Sequence, residues 1–65
     1  MKVRYFEDTD TLYIELKETA PTRTEELNEN VLLELDGENK VVGLTIEHVR
    51  EGVKKLDFSF ETVVA

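Results

Sequence analysis

Residues 31–46 read Val31-Leu32-Leu33-Glu34-Leu35-Asp36-Gly37-Glu38-Asn39-Lys40-Val41-Val42-Gly43-Leu44-Thr45-Ile46. Two apolar runs flank a polar turn. Val31, Leu33 and Leu35 recur at every second position, which puts them on one side of a pleated strand. Asp-Gly between such runs is a strong hairpin signal, with Gly37 expected to supply a positive φ at no steric cost. Gly43 interrupts the returning run, where a glycine marks a bulge or the close approach of another group to the backbone. This stretch decides for antiparallel β structure.

The same period extends towards both ends. Val3-Arg4-Tyr5-Phe6 and the run Leu12, Ile14, Leu16 flank Glu7-Asp8-Thr9-Asp10, and the three segments read as a second hairpin. Pro21 sits in a looser connection, because it has no N–H to give a central strand. Thr22-Arg23-Thr24-Glu25-Glu26-Leu27 is extended but poor in apolar residues, which suits an edge strand, and Asn28-Glu29-Asn30 is a turn. Val49, Val53 and Leu56 are spaced i, i+4, i+7 and predict a short helix over Glu47–Leu56, although Gly52 in its middle costs about 1 kcal/mol relative to Ala. Phe58, Phe60, Thr62 and Val64 alternate again, so residues 57–65 are expected to form a C-terminal strand or a dimerisation arm. The expected architecture is mainly β: a single domain, 1–65, built as one antiparallel β-meander of about five strands with one short C-terminal helix. Its apolar face gathers Val3, Tyr5, Leu12, Ile14, Leu16, Val31, Leu33, Leu35, Val42, Leu44 and Ile46. A sheet must cover such a face. The C-terminal segment is a thin cover, and a second copy is a better one, so a homodimer is expected.

The chain has 65 residues, with 15 acids against 8 Lys and Arg, a formal charge of −7. From Glu18 to Glu38 there are seven acids and one base, Arg23. A chain of this sign is a poor ligand for phosphate backbones and for anionic membrane surfaces, and a good one for basic proteins. There is no Cys, which excludes disulfides, thiolate metal sites and a cysteine nucleophile. No apolar run approaches the roughly 20 residues of a membrane-spanning helix, and no basic apolar leader is present. The chain reads as cytoplasmic.

Catalysis finds no support in the residues. Ser59 is the only Ser and lacks the Gly-x-Ser-x-Gly frame of a nucleophile elbow. Asp8 and Asp10 have the spacing that opens a Ca2+ loop, but the later ligands are missing, and Asp at these positions closes turns. His48 stands alone beside Glu47 and Glu51. No metal and no cofactor are expected. Tyr13 and Leu32 fall on the opposite side of their strands from the apolar set, and Tyr suits interfaces because it joins area to a polar tip. With Glu25, Glu26 and Glu29 they form the expected partner-binding set.

Tyr5, Asp8, Asp10, Leu12, Tyr13 and Ile14, in the form Tyr-Phe-Glu-Asp-Thr-Asp-Thr-Leu-Tyr-Ile, resemble the opening of the family called domain of unknown function 2283. The second half, Val31 to Asp36 and then Val42 to Ile46, resembles it too, so the likeness covers roughly residues 1–49. Its motifs are turn acids, strand hydrophobics and one glycine. The resemblance implies a small prokaryotic protein without an established activity, and some members resemble antitoxins beside small toxins. The expected function is therefore an acidic protein-interaction module, antitoxin-like, that binds a basic partner. The alternative is a self-associating structural domain that takes a small ligand or cation at a subunit interface.

Overall fold

Period-two patterning produces five strands in the structure, a computed structural model that describes residues 1–65. They are β1 (Lys2–Phe6), β2 (Thr11–Glu15), β3 (Arg23–Asn28), β4 (Val31–Leu35) and β5 (Val41–Glu47), followed by a short helix, α1 (Val49–Gly52). All pairings are antiparallel, as expected, in the order β1-β2-β5-β4-β3.

The order departs from a meander in strict chain sequence. Each local hairpin is present, β1 with β2 and β3 with β4 with β5, but β2 pairs with β5 rather than with β3. Composition explains the exchange. A sequential order would hold β3, with Arg23, Glu25 and Glu26, inside the sheet. The observed order leaves β3 at an edge and encloses Leu44 and Ile46 between two apolar neighbours. The chain crosses from β2 to the far edge through Lys17–Pro21. Val42 O receives the Leu16 N–H at 2.7 Å, and Leu35 O receives the Thr22 N–H at 2.9 Å.

Register settles the two faces. Val3 lies opposite Ile14, Ile14 opposite Leu44 and Leu44 opposite Leu33. In the next row Tyr5, Leu12, Ile46 and Val31 line up in the same way. The expected apolar face is therefore present, with the exception of Leu16, which lies beyond the end of β2 and is exposed. A bulge opposite Glu34–Leu35 adds a residue to β5 and turns Val42 inwards, where it is buried with Leu35.

The 36–40 turn differs from the expectation for Gly37. No glycine has a positive φ, and Asn39 takes the left-handed position at φ 63°. Asp36 is the cause. Its Oδ1 accepts the N–H groups of Glu38 and Lys40 at 2.8 and 3.0 Å, and its carbonyl accepts the Asn39 N–H. This winds a tight turn whose left-handed residue falls late in the loop.

The helix is shorter than its apolar spacing predicts. It begins after His48, itself left-handed at φ 56°, and stops at Gly52, since Val53 is already extended. Val49 packs inwards, but Val53 is exposed and Leu56 half-buried, so the second turn that their spacing implied does not form. Residues 57–65 carry no regular secondary structure within the chain. The result is a slab of 36 × 34 × 18 Å, one sheet thick, with Leu35, Val42 and Val49 as its only buried hydrophobic residues. The helix is far too short to cross a membrane.

Candidate functional site

The face opposite the apolar one is built from alternate residues of every strand. Register puts Arg4, Tyr13, Thr45, Leu32 and Glu26 in one row across β1, β2, β5, β4 and β3. Tyr13 and Leu32 thus stand on either side of Thr45. The neighbouring row holds Lys2, Glu15, Gly43, Glu34 and Thr24. Glu26 joins Tyr13 and Leu32 on this face. Glu25 is opposite Leu33 and belongs to the apolar side, at its β3 rim, beside Arg23 at 3.7 Å. Glu29 occupies the exposed turn between β3 and β4. The five expected partner-binding residues therefore share neither one edge nor one face: Glu25, Glu26 and Glu29 lie on or beside the β3 edge, Leu32 is one strand in and Tyr13 is on β2, three strands away.

Tyr13 lies diagonally over Gly43. A Cβ at Gly43 would stand 2.5 Å from the Tyr13 hydroxyl oxygen and 2.9 Å from Cζ, so only glycine lets the ring settle here. Burial raises the Tyr13 phenol above its ordinary value, and the nearby Glu34 carboxylate adds to the rise. Glu34 Oε1 is buried and receives no hydrogen bond. Nothing in the sequence reading singled out Glu34. Its signal was an acid inside the run Val31–Leu35, in register with a glycine on the next strand.

The turn acids have structural partners. Asp10, left-handed at φ 54°, accepts the Tyr5 hydroxyl at 2.7 Å. Both its carboxylate oxygens accept the Arg50 N–H, at 3.3 and 3.1 Å, and its carbonyl accepts the Val49 N–H. One side chain therefore ties the β1–β2 turn to the start of α1. The hydrogen bond to Asp10 is the main reason that the Tyr5 phenol is raised. Asp8 is exposed. At the other end of the sheet Lys17 Nζ meets Asp36 Oδ2 at 2.5 Å. This bond, with the Lys40 and Glu38 N–H groups, holds the Asp36 carboxyl at about 2 against an ordinary 3.8.

His48 is exposed, and its Nδ1–H donates to Asn30 Oδ1 at 3.0 Å. Both border an open groove of about 660 Å3 between α1 and the ends of β4 and β5, with Leu12, Val31 and Ile46 as its floor. No three His, Asp or Glu side chains converge anywhere in an arrangement that could hold a metal ion.

The family model described as a protein of unknown function, DUF2283, matches residues 2–50. The chain belongs to this family. The matched stretch contains the whole sheet, the Asp10 tie and Gly43 under Tyr13, and it ends inside α1. The tail that follows lies outside the DUF2283 match. No curated protein and no solved structure matches the chain.

Proposed function

We propose that this DUF2283 protein is a non-catalytic protein-interaction module of the cytoplasm, a homodimer that offers an acidic sheet edge to a basic protein. The observation that carries the reading is β3. It is the outermost strand, it pairs on one side only, and all six of its residues are exposed. Glu25, Glu26 and Glu29 lie on or beside it, and Leu27, 58% exposed, adds an apolar anchor. An open strand edge can accept an extended segment through main-chain hydrogen bonds, while side chains select the partner. The other edge, β1, carries Lys2 and Arg4 and suits the opposite charge. Tyr13 and Leu32 extend the surface beyond Glu26 and supply apolar area. In the antitoxin-like form of this reading, the partner is a small toxin whose cationic surface is masked.

The test is affinity purification of the tagged chain from its host at low and high salt, followed by binding measurements with the partner recovered. Reversal of Glu25, Glu26 and Glu29 to Lys is expected to slow association at least tenfold at low salt and to flatten its salt dependence. Association that is unchanged by the reversal would make the acidic edge a solubilising surface only.

A further inference from the structure

The apolar sheet face is left open by its own chain. Val3, Tyr5, Leu12, Ile14, Leu44, Ile46, Val31 and Leu33 form two cross-strand rows over β1, β2, β5 and β4, yet each is only half-buried. The segment after α1 crosses the β1 end of this face and stops short of covering it. Phe58 borders an apolar hollow of about 310 Å3 with Val3, Tyr5 and Leu12, and a second of about 360 Å3 with Met1, Val3 and Phe60. Phe58 and Phe60 remain 62% and 75% exposed.

Surface area gives the size of the missing cover. A monomeric protein of 7.5 kDa is expected to expose roughly 4,200 Å2. This chain exposes 5267 Å2. The excess, about 1,000 Å2, is close to the roughly 800 Å2 that each partner contributes to a standard two-protein interface. A slab 18 Å thick and about twice as broad also gains most in compactness by stacking on its own kind. Sheets pack face to face at about 10 Å.

Charge points to a second copy rather than to the basic partner. Over β1, β2, β5 and β4 the two apolar rows carry no charged side chain. Their one polar group, the Tyr5 hydroxyl, is already bonded to Asp10. At the β3 rim Arg23 and Glu25 offset each other. Asp57 is the one charged residue that lines the hollow beside Phe58, so two chains of charge −7 can meet over the rows themselves without setting acid on acid, and a basic protein finds little here to pair with.

We infer that two copies pack these apolar sheet faces together, and that Phe58 and Phe60 of each tail, standing beside their own β1 end, are buried in the same contact. The inference rests on the homodimer reading above and adds which face and which segment make the contact. It assigns to the tail beyond the family match the role of completing a shared core.

The experiment takes the full chain alone. Sedimentation equilibrium is expected to give a mass twice 7.5 kDa. A mixed sample of labelled and unlabelled wild-type protein is expected to show intermolecular NOEs among Ile14, Leu44, Ile46 and Phe58. Phe58→Glu with Phe60→Glu, outside the sheet and checked for folding by circular dichroism, is expected to weaken the dimer about 30-fold or more. A monomeric mass up to about 1 mM overturns both this inference and the homodimer reading. A dimer whose intermolecular NOEs arise from Tyr13, Thr45 and Leu32, or from the edges of β1 or β3, overturns the face assigned here and leaves a homodimer of another kind. A dimer through the apolar face that is indifferent to the double Glu substitution overturns the role of the tail.

Discussion

Gly43→Ala puts the packing of Tyr13 to a direct test. The backbone at Gly43 is not left-handed, so alanine is sterically allowed by the main chain itself. Taken alone, replacing glycine in a strand should stabilise the fold by about 0.5–1 kcal/mol, because glycine loses more freedom on folding. The ring opposes this. The new Cβ would stand 2.5, 2.9 and 3.1 Å from Oη, Cζ and Cε1 of Tyr13, all inside ordinary contact distance. Overpacking of this kind costs typically 1–3 kcal/mol. Tyr13 is half-buried on an open face and can lift outwards, so the cost falls in the middle of that range and the net loss is about 1 kcal/mol. For a domain of this size that lowers Tm by roughly 4–8 °C. The control is the same substitution in a Tyr13→Thr background, where nothing overhangs residue 43 and a branched side chain keeps the strand preference. There Gly43→Ala should stabilise by about 0.5–1 kcal/mol, giving a coupling of roughly 1.5–2 kcal/mol between the two sites. Urea unfolding of the four proteins at one fixed concentration measures all of it, the fixed concentration removing any contribution from self-association. Equal effects of Gly43→Ala in both backgrounds would refute the reasoning, because the ring would then have no part in the requirement for glycine.

Asp10→Ala should destabilise by about 2 kcal/mol, since it loses the bonds to Tyr5 and Arg50 and places alanine at φ 54°. Asp10→Asn keeps the left-handed preference and should cost less than about 1 kcal/mol, and in both variants a spectrophotometric titration should find the Tyr5 phenol closer to its ordinary 10.0. Acid unfolding should report Asp36. Its folded carboxyl sits at about 2 and its ordinary value is 3.8, so the folded state binds that proton less readily. The stability it contributes is complete above about 3.8 and is lost as pH falls towards about 2. Lys17→Met removes the first cause of the depression and should shrink that loss, which circular dichroism between pH 5 and 2 would detect as a shallower dependence on acid. An unchanged acid profile in Lys17→Met would detach Asp36 from acid stability.

The sequence made the strands legible because one face of each is apolar. Val31, Leu33, Leu12 and Ile14 alternate cleanly, and register then puts them together. The order of strands was less legible, since period two tells which way a side chain faces but not which strand lies beside it. The clue lay in β3, whose polar composition forces an edge and so excludes a strictly sequential order. Gly43 was read as a bulge or a close approach, and both occur there: the ladder shifts at Glu34–Leu35 and Tyr13 covers the glycine. Gly37 misled, because the Asp36 side chain sets the turn and moves the positive φ to Asn39. The helix misled for a related reason. Val49, Val53 and Leu56 have helical spacing, but with Gly52 inside and a left-handed His48 before it, only one turn forms. The candidate site was half legible: Tyr13 and Leu32 do flank one residue, while Glu25 lies on the other face because a strand turns each successive side chain over.

On the proposed reading the two surfaces do not compete, and the reason lies in the sheet. Alternation sends Leu12, Ile14, Leu44 and Ile46 to one face and Tyr13, Thr45, Glu15 and Glu34 to the other, so the two sets of residues are kept largely apart, with Glu25 alone of the acidic set at the rim of the apolar side. The edge strand β3 is open to solvent from its outer side whichever face is covered. Stacking two copies through the apolar face therefore leaves both acidic edges free, and each dimer holds two of them in one rigid body. A partner that can reach both gains from effective concentration as well as from charge. That arrangement accounts together for an unfinished core, an exposed apolar tail and a strand whose every residue faces water, features that in an isolated 65-residue domain would each only cost stability.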